Sequence, residues 1–316
     1  MSVVGRVRAA VRGVPAYVAF RRWQREGFVR AFRRHQLWKK VLATAPVRTE
    51  SVSPAGPEVH LLCYRLDYLP AIWALKTFYR TSGVQYPLCV HVNGPAERVV
   101  YARFRHHFPD ARIVSQHEAD AVVVPALRDR GLARLTAARA GSPFVLKLTD
   151  YSLLARGGTV LGIDADILFF SEPRELVAAA QEPGLGYTFQ RDPASTYNLT
   201  PECSVREFGI NLAPRVNTGL LIYPAGLPDL SAFERYLTHP DVATPNGFIE
   251  QTLYALHASE LGRVAYLPDS YAIDLRPAVP FDGLVCRHYA GNTRHLMTTE
   301  GMPQVLRTGI FAGTGA

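Results

Sequence analysis

Two aspartates, Asp164 and Asp166, interrupt an otherwise apolar run, TVLGIDADILFF at residues 159–170. Isolated charges in such surroundings cost on the order of several kcal/mol to desolvate, so something must compensate them. The apolar run predicts a central strand buried on both faces, and in extended chain residues i and i+2 point the same way. The two carboxylates are therefore expected to converge on one divalent cation at a strand end. Mg²⁺ and Mn²⁺ prefer oxygen ligands of this kind and often bridge to phosphates. A D-x-D pair alone also describes turn caps and surface acids; the apolar strand leading into it is what gives this pair weight.

Three later segments add polar groups. RVNTGLLIY (215–223) predicts a strand with Asn217 at its entrance, beside a glycine that permits close approach of a ligand. Thr244-Pro245 reads as cap and first-turn proline of a helix that Leu261-Gly262 ends, with Glu250 and Gln251 in its early turns and Phe248, Leu253 and Leu256 against the core. LVCRHYAGNTRH (284–295) predicts a short strand ending in His288, then a cationic, Gly-containing loop. Each has a plainer reading: Asn217 as a turn cap, Glu250 as a residue favoured by the helix dipole, His288 as a structural histidine.

The elements before these alternate. Residues 60–64 (HLLCY) predict a short buried strand, after which Asp67 caps a helix with Ile72, Leu75 and Phe78 on one side, ending near Gly83. Strand, helix and strand follow over 86–92, 96–107 and 111–115, a rhythm that favours a parallel sheet covered by helices. Neither G-x-G-x-x-G nor a Walker sequence occurs, so nucleotide binding must use other chemistry. Residues 191–214 and the tail from Met297 are candidate acceptor or lid segments.

The 316 residues are 48% hydrophobic and 20% charged, an ordinary globular composition that excludes disordered and collagenous classes. Four cysteines, Cys63, Cys89, Cys203 and Cys286, lie far apart with no C-x-x-C, so no disulfide framework or zinc knuckle is readable and a reducing compartment is expected. The net charge of +8 is uneven. Residues 1–40 carry nine arginines and two lysines against one acid, Glu26, leaving the rest slightly acidic. This arm, taken as residues 1–45, interleaves its charge with Val3, Val7, Val11, Phe20, Trp23, Phe28, Phe32 and Trp38. Two readings stay open for it: docking on an anionic membrane surface, or a solvated basic helix packed on the body. No nucleic-acid module follows it, so nucleic acid is not an expected partner. With no secretory h-region and no apolar run near 18 residues, a cytoplasmic protein is expected, peripheral on the inner membrane face if the arm docks there.

In their order, LGIDADILFF, VNTGLLIY, IEQTLYAL and RHYAGNTRH resemble motifs of the GT-A glycosyltransferases that use nucleotide-diphospho-sugars, most closely the family 8 type. The resemblance covers the body, residues 58–296, and leaves 297–316 as a C-terminal tail. It implies a GT-A fold of α/β class, Rossmann-like, with a mostly parallel mixed sheet flanked by helices behind the basic helical arm. It implies that Asp164, Asp166 and His288 bind Mn²⁺ or Mg²⁺, that Asn217 and Gln251 face the donor sugar, that Lys147 lies near the donor, and that Tyr68 stacks on the base. Glu250 stands where the family usually has Asp, Arg294 where it has a terminal Lys, and His295-Leu296 where Pro-Trp is common.

The chemistry implied is transfer of a sugar, from a UDP-sugar, to a glycan, glycolipid or similar acceptor of the cell envelope. The ion neutralises charge on the departing diphosphate and Arg294 adds a second positive contact. A retaining enzyme would set Gln251 beneath the anomeric carbon; an inverting one would use Glu250 as general base. The competing readings are a haloacid-dehalogenase-like phosphohydrolase with Asp164 as nucleophile, and a non-catalytic GT-A scaffold that binds a glycan or membrane.

Overall fold

A computed structural model describes residues 28–64, 67–94 and 98–311. The chain divides into two units, Met1–Thr44 and Ala45–Ala316.

In the first unit Phe28–Leu42 is a helix, on which Leu37 and Val41, one turn apart, are buried while Phe32 is exposed. The Arg34 guanidinium lies 4.4 Å from the centre of the Trp38 ring. Val3, Val7, Val11, Phe20 and Trp23 lie outside the described residues, as does the side chain of Phe28.

The second unit holds ten strands among its described residues: β1 (Pro57–Tyr64), β2 (Leu88–Asn93), β3 (Arg112–Ser115), β4 (Thr159–Ile163), β5 (Ile167–Phe169), β6 (Tyr187–Arg191), β7 (Val216–Pro224), β8 (Val264–Tyr266), β9 (Tyr271–Ile273) and β10 (Cys286–His288). Seven form one sheet in the order β3-β2-β1-β4-β7-β6-β8, and β5-β10-β9 form a second. From β3 to β4 all pairs are parallel; β7 runs antiparallel to both neighbours, and β8 is parallel to β6. The alternating strands and helices at the start of the body produce the parallel half, whose strands carry hydrophobic side chains on both faces because helices cover them.

Helix Tyr68–Ser82 forms where Leu69, Ile72, Leu75 and Phe78 recur at helical spacing, and it stops at Gly83, whose φ of +69° suits a residue without Cβ. Asp67 occupies its cap position but makes no side-chain cap hydrogen bond, contrary to expectation; its carboxylate is engaged elsewhere, as shown below. Helix Gln116–Asp129 starts at a capping box between Ser115 and Glu118. Helices Val145–Leu154 and Ile249–Glu260 bury Leu148, Tyr151, Leu253, Tyr254 and Leu256 in one core with Phe189, Leu221 and Tyr223 of the sheet. Each such large side chain contributes roughly 1.5–3 kcal/mol of burial.

Two sequence expectations change. Residues 159–170 are not one strand: the chain leaves the main sheet after Ile163, turns through Asp164, Ala165 and Asp166, and enters the small sheet at Ile167. The helix expected from Thr244 begins at Ile249. The Asn246 side chain accepts the Phe248 N–H at 2.9 Å and closes a turn there, so Phe248 precedes the helix and is exposed rather than packed in the core. The segments read as candidate loops also contain structure: Pro201–Phe208 is helical, and from Met297 the chain continues through a π-turn into helix Met302–Arg307, with Met297, Met302 and Val305 buried.

Candidate metal and donor site

Antiparallel pairing of β4 with β7 explains why distant motifs meet. Ile163 lies opposite Leu220, so the residue after β4 reaches the start of β7, and the Asp164 N–H donates to the Gly219 carbonyl at 2.9 Å. The small sheet adds the third group: His288 pairs with Ile167, and the Tyr289 N–H donates to the Asp166 carbonyl at 2.8 Å. The two aspartates thus converge through a turn between sheets, not by alternation along one strand. A Cβ on Gly219 would overlap the His288 imidazole, which is why that position of VNTG carries no side chain.

His288 Nε2 lies 3.1 Å from Asp166 Oδ1 and 3.9 Å from Asp164 Oδ2. One ligand atom from each of the three residues falls within 4.8 Å of the others. Asp166 and His288 are buried, and Asp166 Oδ1 and His288 Nδ1 are without hydrogen-bond partners. A buried carboxylate oxygen without a hydrogen bond, beside a second carboxylate and an imidazole Nε2, fits a hard divalent cation. Burial alone would raise the Asp166 carboxyl, but the neighbouring His288 and Arg294 outweigh it and hold the group below the usual carboxylate range. Burial opposes the charge of His288 too, and the Asp166 carboxylate reverses the effect, raising it above an ordinary histidine.

Positive side chains flank the cluster. Lys147, on helix Val145–Leu154, is buried with Nζ 2.5 Å from Asp164 Oδ1 and 3.8 Å from Glu250 Oε1. Burial disfavours its charge, yet Asp164 and Glu250 raise its pKa above that of a free lysine. Arg294 donates from Nε to Asp166 Oδ2 at 2.6 Å, and its other arm lies 3.4 Å from Asp67 Oδ2. Glu250 is buried; its Oε2 accepts from Thr218 Oγ1 at 2.8 Å, while Oε1 has no hydrogen-bond partner. Burial, against the pull of Lys147, pushes its carboxyl up to about 7.

Asn217 and Gln251 meet directly. Asn217 Nδ2 donates to Gln251 Oε1 at 3.3 Å and to Asp192 Oδ2 at 3.1 Å, and its Oδ1 accepts the Gly219 N–H. Gln251 Nε2 donates to the Thr196 carbonyl at 2.9 Å. Of the residues singled out in the sequence, Asp164, Asp166, His288, Lys147, Glu250 and Arg294 are therefore joined by direct contacts, and Asn217 and Gln251 form a pair of their own. Tyr68 opens its helix, half-buried, next to Asp67. Asp67, Thr218 and Asp192 were not anticipated as site residues. Asp67 carried a local signal as a helix cap, but its partner Arg294 is 227 residues away, a pairing no local pattern encodes.

No protein-family model matches the chain, and no curated protein matches its sequence. Solved structures do match. The apo form of mouse xyloside xylosyltransferase 1 aligns over 78% of this chain and 99% of its own, with a TM-score of 0.52 at 14% identity. An active-site mutant of LgtC aligns over 80% and 95%, with a TM-score of 0.47 at 14% identity. The Mn/GDP form of core-mannan synthase A from Aspergillus fumigatus aligns over 85% and 90%, with a TM-score of 0.43 at 12% identity. At such identities the likeness is one of fold: the mixed seven-stranded sheet with its flanking helices is that of a GT-A glycosyltransferase.

Proposed function

We propose that the protein is a metal-dependent glycosyltransferase that moves a sugar from a nucleotide-diphospho-sugar, a UDP-sugar, to a glycan, glycolipid or similar acceptor. The observation that carries this reading is the convergence of Asp164, Asp166 and His288 at the end of β4 in a GT-A fold, with Asp166 Oδ1 buried and without a hydrogen bond. The sugar transfer named for the mouse fold neighbour supports it.

Asp164, Asp166 and His288 through Nε2 would hold Mn²⁺ or Mg²⁺, which when bound supplies Lewis-acid neutralisation of the departing diphosphate. To ligate, His288 has to give up its proton, so affinity for the ion falls in acid. Lys147 fixes Asp164 and keeps positive charge beside the diphosphate; Arg294 orients Asp166 and presents a second cation on its far side. Asn217 and Gln251, each holding the other, present amides to the donor sugar, and Tyr68 offers a ring to the base. Transfer is retaining, with Gln251 beneath the anomeric carbon. Were it inverting, Glu250 would be the base, and a carboxyl titrating near neutral pH suits that role. Residues 1–40 hold the enzyme on anionic lipid at the cytoplasmic membrane face; the full chain should float with phosphatidylserine vesicles at low salt and not with neutral ones. Equal binding to both would exclude that docking.

The reading is tested by incubating the protein with UDP-sugars, with Mn²⁺ or with EDTA. Metal-dependent release of UDP, with the product anomer assigned by NMR, is expected. Turnover of a phosphomonoester with no donor turnover would instead assign the site to a phosphohydrolase.

A further inference from the structure

We propose a second metal site, for Zn²⁺, built from His60, Cys89 and His91 inside the parallel half of the main sheet. The pairing of β1 with β2 sets His60 opposite Cys89 and Leu62 opposite His91, so all three donors rise from one face of the sheet. His60 Nδ1 lies 3.0 Å from His91 Nε2, and Cys89 Sγ lies 3.3 Å from the same nitrogen. One ligand atom from each residue falls within 4.8 Å of the others. Tetrahedral zinc with Zn–N of about 2.0–2.1 Å and Zn–S of about 2.3 Å has ligand-to-ligand edges of roughly 3.3–3.6 Å, so the two edges at His91 Nε2 need to open by only a few tenths of an ångström.

Donor type separates this cluster from the first. Two imidazoles and a thiolate suit Zn²⁺, whereas paired carboxylates suit Mg²⁺ or Mn²⁺. The surroundings are those of a ligated histidine. Glu58 Oε2 lies 3.2 Å from His60 Nε2, and Glu58 is itself fixed by Arg112 at 3.0 Å and by the backbone N–H groups of Arg156 and Gly157. His60 Nε2 lies beside this carboxylate without a hydrogen bond to it, and a proton on Nε2 leaves the lone pair of Nδ1 facing His91 Nε2. His91 Nδ1 has no hydrogen-bond partner, although the residue is buried. His91 also lines a cavity of about 10 Å³ with Leu62 and Asp150, room for about one water as a partner of the ring rather than as a ligand of the ion. The ring of Tyr151 closes the site, its centre 5.0 and 4.9 Å from the two imidazoles.

Metal binding breaks the S–H bond of Cys89 and forms S–Zn, releasing one proton to solvent. The ion would tie β1 to β2 under the helix that carries Lys147.

Cobalt(II) is the probe, because a thiolate bound to it produces a near-ultraviolet charge-transfer band that carboxylate and imidazole ligands do not. Titrating the full-length protein should develop this band to saturation at one equivalent, and Zn²⁺ should abolish it. Asp166→Asn should leave the band intact, so this assignment and that of the donor site stand or fall separately. Cys89→Ser should lose it. Cys203→Ser, which alters the more exposed group of Cys203, Glu207 and His239, should keep it, and this comparison holds even if Cys89→Ser does not fold. No band in the wild type, persistence in Cys89→Ser, or loss in Cys203→Ser overturns the proposal; the first result would leave His60, His91 and Cys89 as a metal-free hydrogen-bonded group.

Discussion

Two buried carboxylates, Asp150 and Asp166, sit in one unit in opposite states. Asp150 is closed: Arg139 donates to both of its oxygens, from Nε at 2.9 Å and Nη2 at 3.1 Å, and Thr149 adds a third bond at 2.9 Å. Asp166 is open: Arg294 takes one oxygen, and the other faces His288 with no hydrogen-bond partner. A carboxylate held by three hydrogen bonds from its own chain serves the fold. A carboxylate with one oxygen outside any hydrogen bond, beside a second carboxylate and an imidazole, is prepared for something the chain does not supply.

The sharpest way to break this contrast is to remove the closing partner. Arg139→Ala strands Asp150 in the interior and should lower folding stability by roughly 3–5 kcal/mol, read as a reduced urea midpoint, with donor turnover per folded molecule unchanged. An unaltered midpoint would remove Asp150 from the class of closed charges. A smaller effect tests Glu250. Its carboxyl is raised from 4.5 to about 7 in the folded chain, so the folded state binds the proton more tightly than the unfolded state. Its contribution is therefore most favourable below pH 4.5 and is lost as pH climbs towards 7, by at most about 3 kcal/mol. Glu250→Gln should flatten the fall in stability across that window; an identical pH profile in the variant would show that Glu250 ionises there as an ordinary glutamate.

What the sequence made legible was set by locality. The strand rhythm of the first half, the stop at Gly83 and the order of the D-x-D, N-T-G and His288 segments are written in neighbouring residues, and they suffice for the α/β class. The turn at Asp164–Asp166 was hidden because hydrophobic residues resume directly after the two aspartates: both strands are buried, and a change of sheet leaves no mark on hydropathy. The late start of the helix at Ile249 was hidden because Thr244-Pro245 is a good cap locally, while the turn at Asn246 delays helical geometry. Asp67 was read as a cap because its neighbour in sequence is a helix, whereas its neighbour in space is Arg294. The link from Asn217 to Asp192 depends on how β6 and β7 pair, with a register shift beside Gln190 that no pattern of residues announces.

The central claim is that Asp164, Asp166 and His288 together hold one divalent ion, with Asp166 Oδ1 buried and without a hydrogen bond. Free Mn²⁺ should be followed by electron paramagnetic resonance as the full-length protein is titrated in the presence of UDP, for the wild type and for Asp166→Asn. One ion bound per chain in the wild type, with affinity at least about tenfold weaker in the variant, is the predicted result, a difference of about 1.4 kcal/mol. Equal affinity in the two proteins would contradict it.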